Sequence, residues 1–240
     1  MAWLSAGSRA KSLRLVMSTP ATYASILLSI IYLFLVVPKG LAEQETIDVS
    51  GRYQLIDPPQ STGAADQVEV VELFWYGCPH CFDFEPIISR WQTNKPEYVT
   101  FRRVPAIFRE SWEPHARAYY TAEILGVVDN VHQPLFDAIH VQKRSLQTKK
   151  ELMHFFAEHG VNEQDFSKTY DSFAVDTLVR RSKVMQQRYG VMGVPSMVVN
   201  GKYRTSGSEA GGLENAMRVV EVLAEQEHRS MTPRTKGERG

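Results

Sequence analysis

Three short stretches of the chain have the apolar pattern of β-strands. Val68–Tyr76 predicts a central strand whose even-numbered positions share one face. Val99–Val104 predicts a second strand and Ser196–Val199 a third, and Asn200-Gly201 joins the third to Lys202–Arg204 in a two-residue hairpin. The shared face of the first strand carries Val68, Val70, Glu72, Phe74 and Tyr76. This strand therefore places one carboxylate on an otherwise apolar face.

Helical periodicity fills the intervals between the strands. After the first strand, apolar residues at helical spacing predict a helix that runs to about Thr93 and is kinked at Pro86. Between the second and third strands we expect helices over 113–125, 148–158, 162–173 and 174–189, the second of them opened by a capping box of Thr148 and Glu151. A closing helix begins near Leu213. The order of elements indicates an α/β fold that contains an all-helical insertion.

The first 42 residues have the composition of an export signal. They hold four basic residues and no acidic one, and their apolar run of 14 residues, 24–37, is too short for a membrane span but suits a signal peptide. Gly40 and Ala42 supply small residues for cleavage before Glu43. We expect a cleaved signal over 1–42, with an uncleaved N-terminal anchor as the alternative and Met17 as a second candidate start beside Met1.

Charge excludes one class of partner. Residues 1–42 contain four of the 27 basic residues and none of the 27 acidic ones, so the rest of the chain has a formal charge of about −4. Charges of both signs are interspersed along residues 43–240 without a basic stripe, and we therefore expect no nucleic-acid binding. The polar tail 232–240 has no apolar period and is expected to be disordered.

The only two cysteines of the chain stand in Cys78-Pro79-His80-Cys81, where the first strand gives way to a helix. A helix N-terminus stabilises a thiolate at the first cysteine, so the pair predicts thiol–disulfide exchange. A zinc site would need more ligands than the pair and His80 offer, and a structural disulfide across so short a loop would stabilise little. Two buried, unpaired thiols remain an alternative, although Gly77, Pro79 and His80 favour a turn here.

These features together resemble the thioredoxin-fold oxidases of the DsbA family. The resemblance rests on Cys78-Pro79-His80-Cys81, on Val194-Pro195 before the hairpin and on the helical insertion, and it covers about residues 53–227. It implies an α/β thioredoxin fold with an inserted all-helical domain. The thioredoxin-like domain would comprise 43–107 and 184–231, and the insertion 108–183.

The resemblance also implies roles for single residues. Cys78 would be the exposed nucleophile and Cys81 its buried partner, with His80 supplying positive charge or a hydrogen bond to the Cys78 sulfur. A plain exposed turn histidine is the alternative for His80. Pro195 would be a cis-proline beside the sulfurs, where the backbone of Val194 pairs with an extended substrate.

Glu72 occupies the position of the family's buried acid, which would relay a proton to or from Cys81. The related oxidases can carry a lysine on the next strand, whereas this sequence has Arg102 and Arg103. Either arginine is a candidate partner for Glu72, but a guanidinium does not give up its proton, which puts a shared relay in doubt. Exposed charge is the alternative for Glu72 and for its arginine partner.

The implied function is disulfide bond formation. A periplasmic monomer would donate the Cys78–Cys81 disulfide to reduced or unfolded exported proteins and be reoxidised by a membrane partner of the DsbB type, with no metal and no organic cofactor. A disulfide reductase or isomerase of the same fold is the first alternative. A peptide-binding chaperone that does not need its sulfurs is the second.

Overall fold

The computed structural model describes residues 48–63 and 66–231. The predicted signal segment 1–42 and the predicted disordered tail 232–240 lie outside these residues, so both stay predictions. Within the described part of the chain, no helix has the length and apolar character that a membrane crossing requires.

The described residues form one mixed β-sheet. Its strands are β1 (Gln54–Leu55), β2 (Val68–Phe74), β3 (Val99–Pro105), β4 (Ser196–Val199) and β5 (Tyr203–Ser206). They lie in the order β1–β5–β4–β2–β3, with β2 parallel to β3 and the other neighbours antiparallel. All seven residues of β2 are buried, as expected for a strand with partners on both edges and helices on its faces.

Eight α-helices accompany the sheet in the described ranges. They are α1 (Pro79–Asn94), α2 (Glu113–Leu125), α3 (Val128–His140), α4 (Lys149–Glu158), α5 (Glu163–Tyr170), α6 (Phe173–Arg188), α7 (Gly207–Ala210) and α8 (Leu213–Met231). A 3-10 helix, Glu110–Trp112, leads into α2. Five of the helices, α2 to α6, follow one another between β3 and β4, which is the predicted helical block.

Each face of the sheet has an apolar layer. On one face, residues of α1 and α8 pack over Val68 and Val70 of β2. On the other, Val71 and Leu73 pack with residues that follow α6. The inserted helices have a core of their own, and it meets the sheet at Phe74 and beyond. The carboxyl end of β2 therefore lies where the sheet and the helical block join.

Most predicted elements lie close to their observed bounds. The hairpin forms with Asn200 and Gly201 both at positive φ, the geometry that such a two-residue turn requires. Both hydrogen bonds of the predicted capping box are present between Thr148 and Glu151. The strand β1 and the helix α3 were not predicted as separate elements. The proposed domain boundaries stay predictions, and that at 183/184 falls inside α6.

Candidate active site

The two cysteines lie in the connection from β2 to α1. A turn closed by the Cys78 N–H, which donates to the Trp75 carbonyl at 3.0 Å, leads from the strand into the helix. Gly77 lies in this turn against the indole of Trp75, since a Cβ at residue 77 would be 2.3 Å from a ring carbon. Cys78 is the N-cap residue of α1 and Cys81 lies in its first turn.

The surroundings of Cys78 favour its thiolate. The sulfur makes no capping hydrogen bond of standard geometry. A hydrogen bond from the Cys81 thiol nevertheless lowers the pKa of Cys78 to about 6, against the effect of burial and with help from the N–H groups of Cys81 and His80 and from the His80 charge. A thiol with this pKa is mostly ionised at pH 7, and the thiolate is the nucleophilic form.

Cys81 has the opposite character. Its side chain is fully buried, and burial, the hydrogen bond to Cys78 and the negative charges of Cys78 and Glu72 raise its pKa far above the ordinary value. Cys78 is 8% exposed. The exposed nucleophile that the sequence implied is thus only narrowly open to solvent, because it sits between the turn and the Val194 loop. The two thiols are still clearly different, one ionised and one protonated.

Val194 and Pro195 lie beside Cys78, as the resemblance implied. The Val194–Pro195 peptide bond is cis. The Cys78 sulfur lies 3.5 Å from the carbonyl oxygen of Val194, to which it donates a hydrogen bond only while it is protonated. Val194 is half-buried and Pro195 is buried, so the backbone of residue 194 is the part of this loop that faces the sulfur.

Pro79 and His80 are both exposed at the start of α1. The backbone N–H and the charge of His80 both favour the Cys78 thiolate, and the role of its side chain stays a prediction. His80 also lines a groove of about 500 Å³ together with Met192, Val194, Arg204, Glu209 and Leu213.

Glu72 is fully buried in the middle of the sheet, which excludes the alternative of an exposed charge. Its partner is Arg103, which donates from Nε to Glu72 Oε2 at 3.0 Å. Arg102 points to the other face and pairs with Glu69. Burial and the charge of Glu85 raise the pKa of Glu72 to about 8, although Arg103 acts in the opposite direction. Glu72 is thus protonated at neutral pH.

Three further buried polar residues extend this pair and were missed in the sequence. Arg103 also donates to Glu85 of α1, at 2.9 Å from Nη2 to Oε2. Glu85 in turn contacts His132 of α3, with 3.1 Å between Oε1 and Nε2, and His132 Nδ1 lies 2.8 Å from the hydroxyl of Tyr76. Glu85 could have been found, because it lies four residues after Cys81 on the buried face of α1. His132 lies on the helix that was not predicted.

The described residues contain no group of three or more His, Cys, Asp or Glu side chains placed to hold a metal ion. The expectation that no metal takes part stays a prediction.

The site can be compared with known proteins. Residues 99–216 match the family model of the DSBA-like thioredoxin domain. The chain is 44% identical over 182 residues to the thiol:disulfide interchange protein DsbA of Azotobacter vinelandii, with 75% of this chain and 85% of that protein covered. It is 41% identical over 189 residues to the protein of the same name from Pseudomonas aeruginosa, with 78% and 90% covered.

Solved structures of DsbA proteins also match this chain. The crystal structure of Pseudomonas aeruginosa DsbA matches with a TM-score of 0.72 at 40% identity, over 75% of this chain and 94% of that one. The oxidoreductase DsbA from Xylella fastidiosa matches with a TM-score of 0.70 at 31% identity, over 74% and 96%. The predicted thioredoxin fold with a helical insertion is confirmed.

Proposed function

Since the chain belongs to the DsbA family of thiol:disulfide oxidoreductases, we propose that Cys78 and Cys81 carry the disulfide that it donates to folding exported proteins. The observation that carries this proposal is the asymmetry of the pair: an ionised Cys78 at a helix N-terminus beside the Val194 carbonyl, and a protonated Cys81 behind it. An enzyme that transfers its disulfide needs one sulfur that substrates reach and one that leaves and stays inside.

The transfer takes two exchange steps. A substrate thiolate attacks Cys78 Sγ, the bond between Cys78 and Cys81 breaks, and the Cys81 sulfur leaves with the electron pair. A second substrate thiolate then attacks the substrate sulfur of the mixed disulfide, and Cys78 leaves as a thiolate. The substrate gains a disulfide and loses two electrons, and the enzyme pair takes up both. The low pKa of Cys78 makes it a good leaving group in the second step.

Glu72 supplies a proton in the first step. The Cys81 sulfur is fully buried, so an unprotonated thiolate there would be strongly disfavoured. Glu72 is the protonated acid on the neighbouring strand, and it gives its proton to Cys81 as the sulfur leaves. Arg103 keeps its own proton and acts as the fixed positive charge, so the relay does not depend on a shared proton at the arginine.

The groove beside Val194 is the proposed substrate site. An extended peptide can pair with the backbone at Val194, which places a substrate cysteine next to Cys78. Backbone pairing is independent of side-chain sequence, and this fits a broad range of unfolded substrates. Pro195 lines this groove, and Pro79 follows Cys78 at the start of α1.

We also propose a cellular setting. The protein would work in the periplasm as a monomer that is reoxidised by a membrane partner of the DsbB type, with no metal or organic cofactor. The apolar, basic-flanked segment in 1–42 supports export. An oxidising compartment is also where a protein disulfide donor has substrates.

The test is a single-turnover transfer from the oxidised protein to a reduced, unfolded protein, with free thiols trapped over time. Wild type should oxidise the substrate, and Cys78→Ser should not. Cys81→Ser should accumulate a mixed disulfide between Cys78 and the substrate. Transfer by Cys78→Ser at the wild-type rate would contradict the assignment of the nucleophile.

The direction of the reaction needs its own measurement. The reduction potential of the pair, obtained in glutathione buffers of set ratio, should lie above that of the glutathione couple. A value near that of thioredoxin would favour the reductase alternative. Full function of a double Cys→Ala variant in cells would favour the chaperone alternative.

A further inference from the structure

A continuous chain of buried polar contacts connects the inserted helices with the strand that leads to the cysteines. It begins at Tyr76, just after β2, passes through α3, α1 and β3, and ends on β2, with 2.8–3.1 Å between the atoms of each link. Its members, in order, are Tyr76, His132, Glu85, Arg103 and Glu72. Buried polar groups in such a chain strongly influence one another because little water screens them.

This chain of polar contacts contains two carboxyl groups and one guanidinium group. With Arg103 always charged, one ionised carboxylate makes the cluster neutral, and a second one would be a buried excess charge. Glu72 and Glu85 therefore share a single proton at neutral pH. Two acids that share a proton titrate as a pair, and their surroundings decide which of them holds it.

The two carboxyl groups differ in the number of their hydrogen-bond contacts. Glu85 has a hydrogen-bond contact on each oxygen: Arg103 donates to Oε2, and Nε2 of His132, 3.1 Å from Oε1, donates to it when Glu85 is ionised. Glu72 receives one donor, from Arg103 on Oε2, and its buried Oε1 has no partner among the described residues. Each N–H donor stabilises the ionised form, so the negative charge belongs on Glu85 and the proton on Glu72.

We propose that His132 is a positioning residue that fixes the shared proton on Glu72, the acid of the pair that lies on the strand leading to the cysteines. The neutral ring donates from Nε2 to Glu85 and accepts from the Tyr76 hydroxyl at Nδ1. Without the donor from His132, Glu85 and Glu72 would each keep one donor from Arg103. The preference for Glu72 would then largely disappear.

The other groups around the chain do not reverse this assignment. Burial raises the pKa of Tyr76 and Tyr119, so both phenols are neutral. Burial lowers the pKa of His132, and Arg103 adds to this effect, whereas Glu85 and Asp129 act against it. Burial alone would raise the pKa of Glu85, but His132 and Arg103 lower it overall. Burial, Cys78 and the charge of Glu72 raise the pKa of Cys81, so this thiol remains protonated.

The inference deepens the proposed function and rests on it for its purpose, because a proton on Glu72 is useful only if Cys81 leaves as a thiolate. On disulfide opening, the Cys81 sulfur takes the electron pair and the proton of Glu72, which becomes the carboxylate. On reoxidation, the same proton returns to Glu72 as Cys81 forms the disulfide again. His132 touches neither sulfur in this sequence and acts through Glu85.

The test is a direct titration of Glu72 in the full chain, in the disulfide form where no thiol titrates alongside. Carboxyl ¹³C signals would be followed by NMR and assigned with Glu72→Gln. Two amide variants form a matched pair: His132→Gln carries an N–H near the reach of Nε2 and can still donate to Glu85, whereas His132→Asn reaches only toward the Nδ1 position. Tyr76→Phe removes the outer contact alone.

Wild type, His132→Gln and Tyr76→Phe should titrate Glu72 above pH 7. In folded His132→Asn the proton should be divided between the two acids, so the Glu72 signal should show only about half of its wild-type protonation change and the Glu85 signal, assigned with Glu85→Gln, should show the rest in the same pH step. A full wild-type change at Glu72 in folded His132→Asn, or an equal division of the proton in His132→Gln, would overturn the proposal.

A second measurement needs no variant and covers the case in which His132→Asn does not fold. The ¹⁵N shifts of the His132 ring in wild type should show Nε2 protonated, and an Nδ1–H tautomer with bare Nε2 would overturn the proposal because that ring cannot donate to Glu85. Both measurements are made without substrate. They can fail while the protein is still an oxidase, and the Cys78→Ser transfer assay can fail while they succeed.

Discussion

Burial gives Cys81 and Glu72 the same preference for the protonated form, although one is a thiol and the other a carboxylic acid. Burial disfavours the anion of each, and the charge of Glu72 further raises the pKa of Cys81. Cys78 differs because it accepts a hydrogen bond from the Cys81 thiol and also meets N–H groups at the start of a helix. Cys78 can therefore leave as a thiolate without taking up a proton, whereas the buried Cys81 needs one.

Glu72 should make the protein less stable than an isosteric amide would. Its folded pKa of about 8 lies above the unfolded value near 4.5, so its contribution is favourable at low pH and is lost as the pH rises toward 8. Glutamine copies the shape of the protonated acid without this penalty. Glu72→Gln should raise the free energy of unfolding by about 2 kcal/mol or more at pH 8 and by much less at pH 5.

Denaturant unfolding at pH 5, 6, 7 and 8 measures this difference. Glu69→Gln on the same strand is the control, since Glu69 pairs with Arg102 in a more open position and is not part of the buried pair. A stability gain in Glu72→Gln that is the same at every pH would mean that Glu72 is not protonated in the folded protein.

The sequence identified the acid at residue 72 but not its partner. Alternation along β2 is enough to put Glu72 on an apolar face. Whether Arg102 or Arg103 meets it depends on the register of two parallel strands, and the pairing of Glu72 with Arg103 is a tertiary result. The role of His132 could not be predicted either, because its contacts come from elements that are distant in the sequence.

At the scale of elements, the turn between β2 and α1 sets the position of Cys78. Trp75 stacks face to face on Trp112, with ring centroids 4.0 Å apart and planes 2° from parallel. Gly77 leaves room for that ring, because a Cβ at residue 77 would lie 2.3 Å from it. The stack therefore ties the turn before the nucleophile to the helical block.

Gly77→Ala should break this stack. The indole must move away from the new methyl group, which should lower the free energy of unfolding by about 1 to 3 kcal/mol and change the near-UV circular dichroism of the tryptophans. Gly193→Ala is the control beside the same site, because a Cβ at residue 193 meets no atom within 4 Å. A Gly77→Ala protein with wild-type stability and tryptophan signals would show that the turn tolerates a side chain.

Element boundaries were predictable where side chains mark them. Thr148 and Glu151 mark the start of α4, and Asn200-Gly201 marks the hairpin. The start of α3 has no such signal, since Val127 at its N-cap offers no capping side chain and Pro134 lies in its interior. The strand β1 has two exposed residues that pair at the sheet edge, so its sequence carries no apolar pattern.

At the scale of the whole molecule, the helical block and the sheet share both a core and a polar chain. Phe74 and Tyr76 extend from β2 into the core of the inserted helices. Glu85 of α1 and His132 of α3 join the two parts through their hydrogen bond. The redox site lies at this junction, so changes at the cysteines should alter the stability of the entire protein.

Redox state should change this stability in a pH-dependent way, because Cys78 carries its thiolate only in the reduced form. A folded pKa of about 6 lies below the ordinary value of 9, so the reduced form gains stability as the pH rises above 6 and loses it as the pH falls through 6. The gain is ~0.4 kcal/mol at pH 6, ~1.4 kcal/mol at pH 7 and ~2.7 kcal/mol at pH 8. The oxidised form is stabilised instead by about 2 kcal/mol, because its disulfide closes a short loop, and this contribution does not depend on pH.

These two contributions nearly cancel at pH 7, so a measurement at that pH alone decides little. The free energy of unfolding of the reduced form, minus that of the oxidised form, should instead increase by about 2 kcal/mol between pH 6 and pH 8. Urea unfolding of both forms across this range measures the difference, and the oxidised form controls for groups that titrate in both states. A constant difference would mean that Cys78 is not a folded-state thiolate. An increasing one would show that the fold itself favours giving the disulfide away, and more strongly at higher pH.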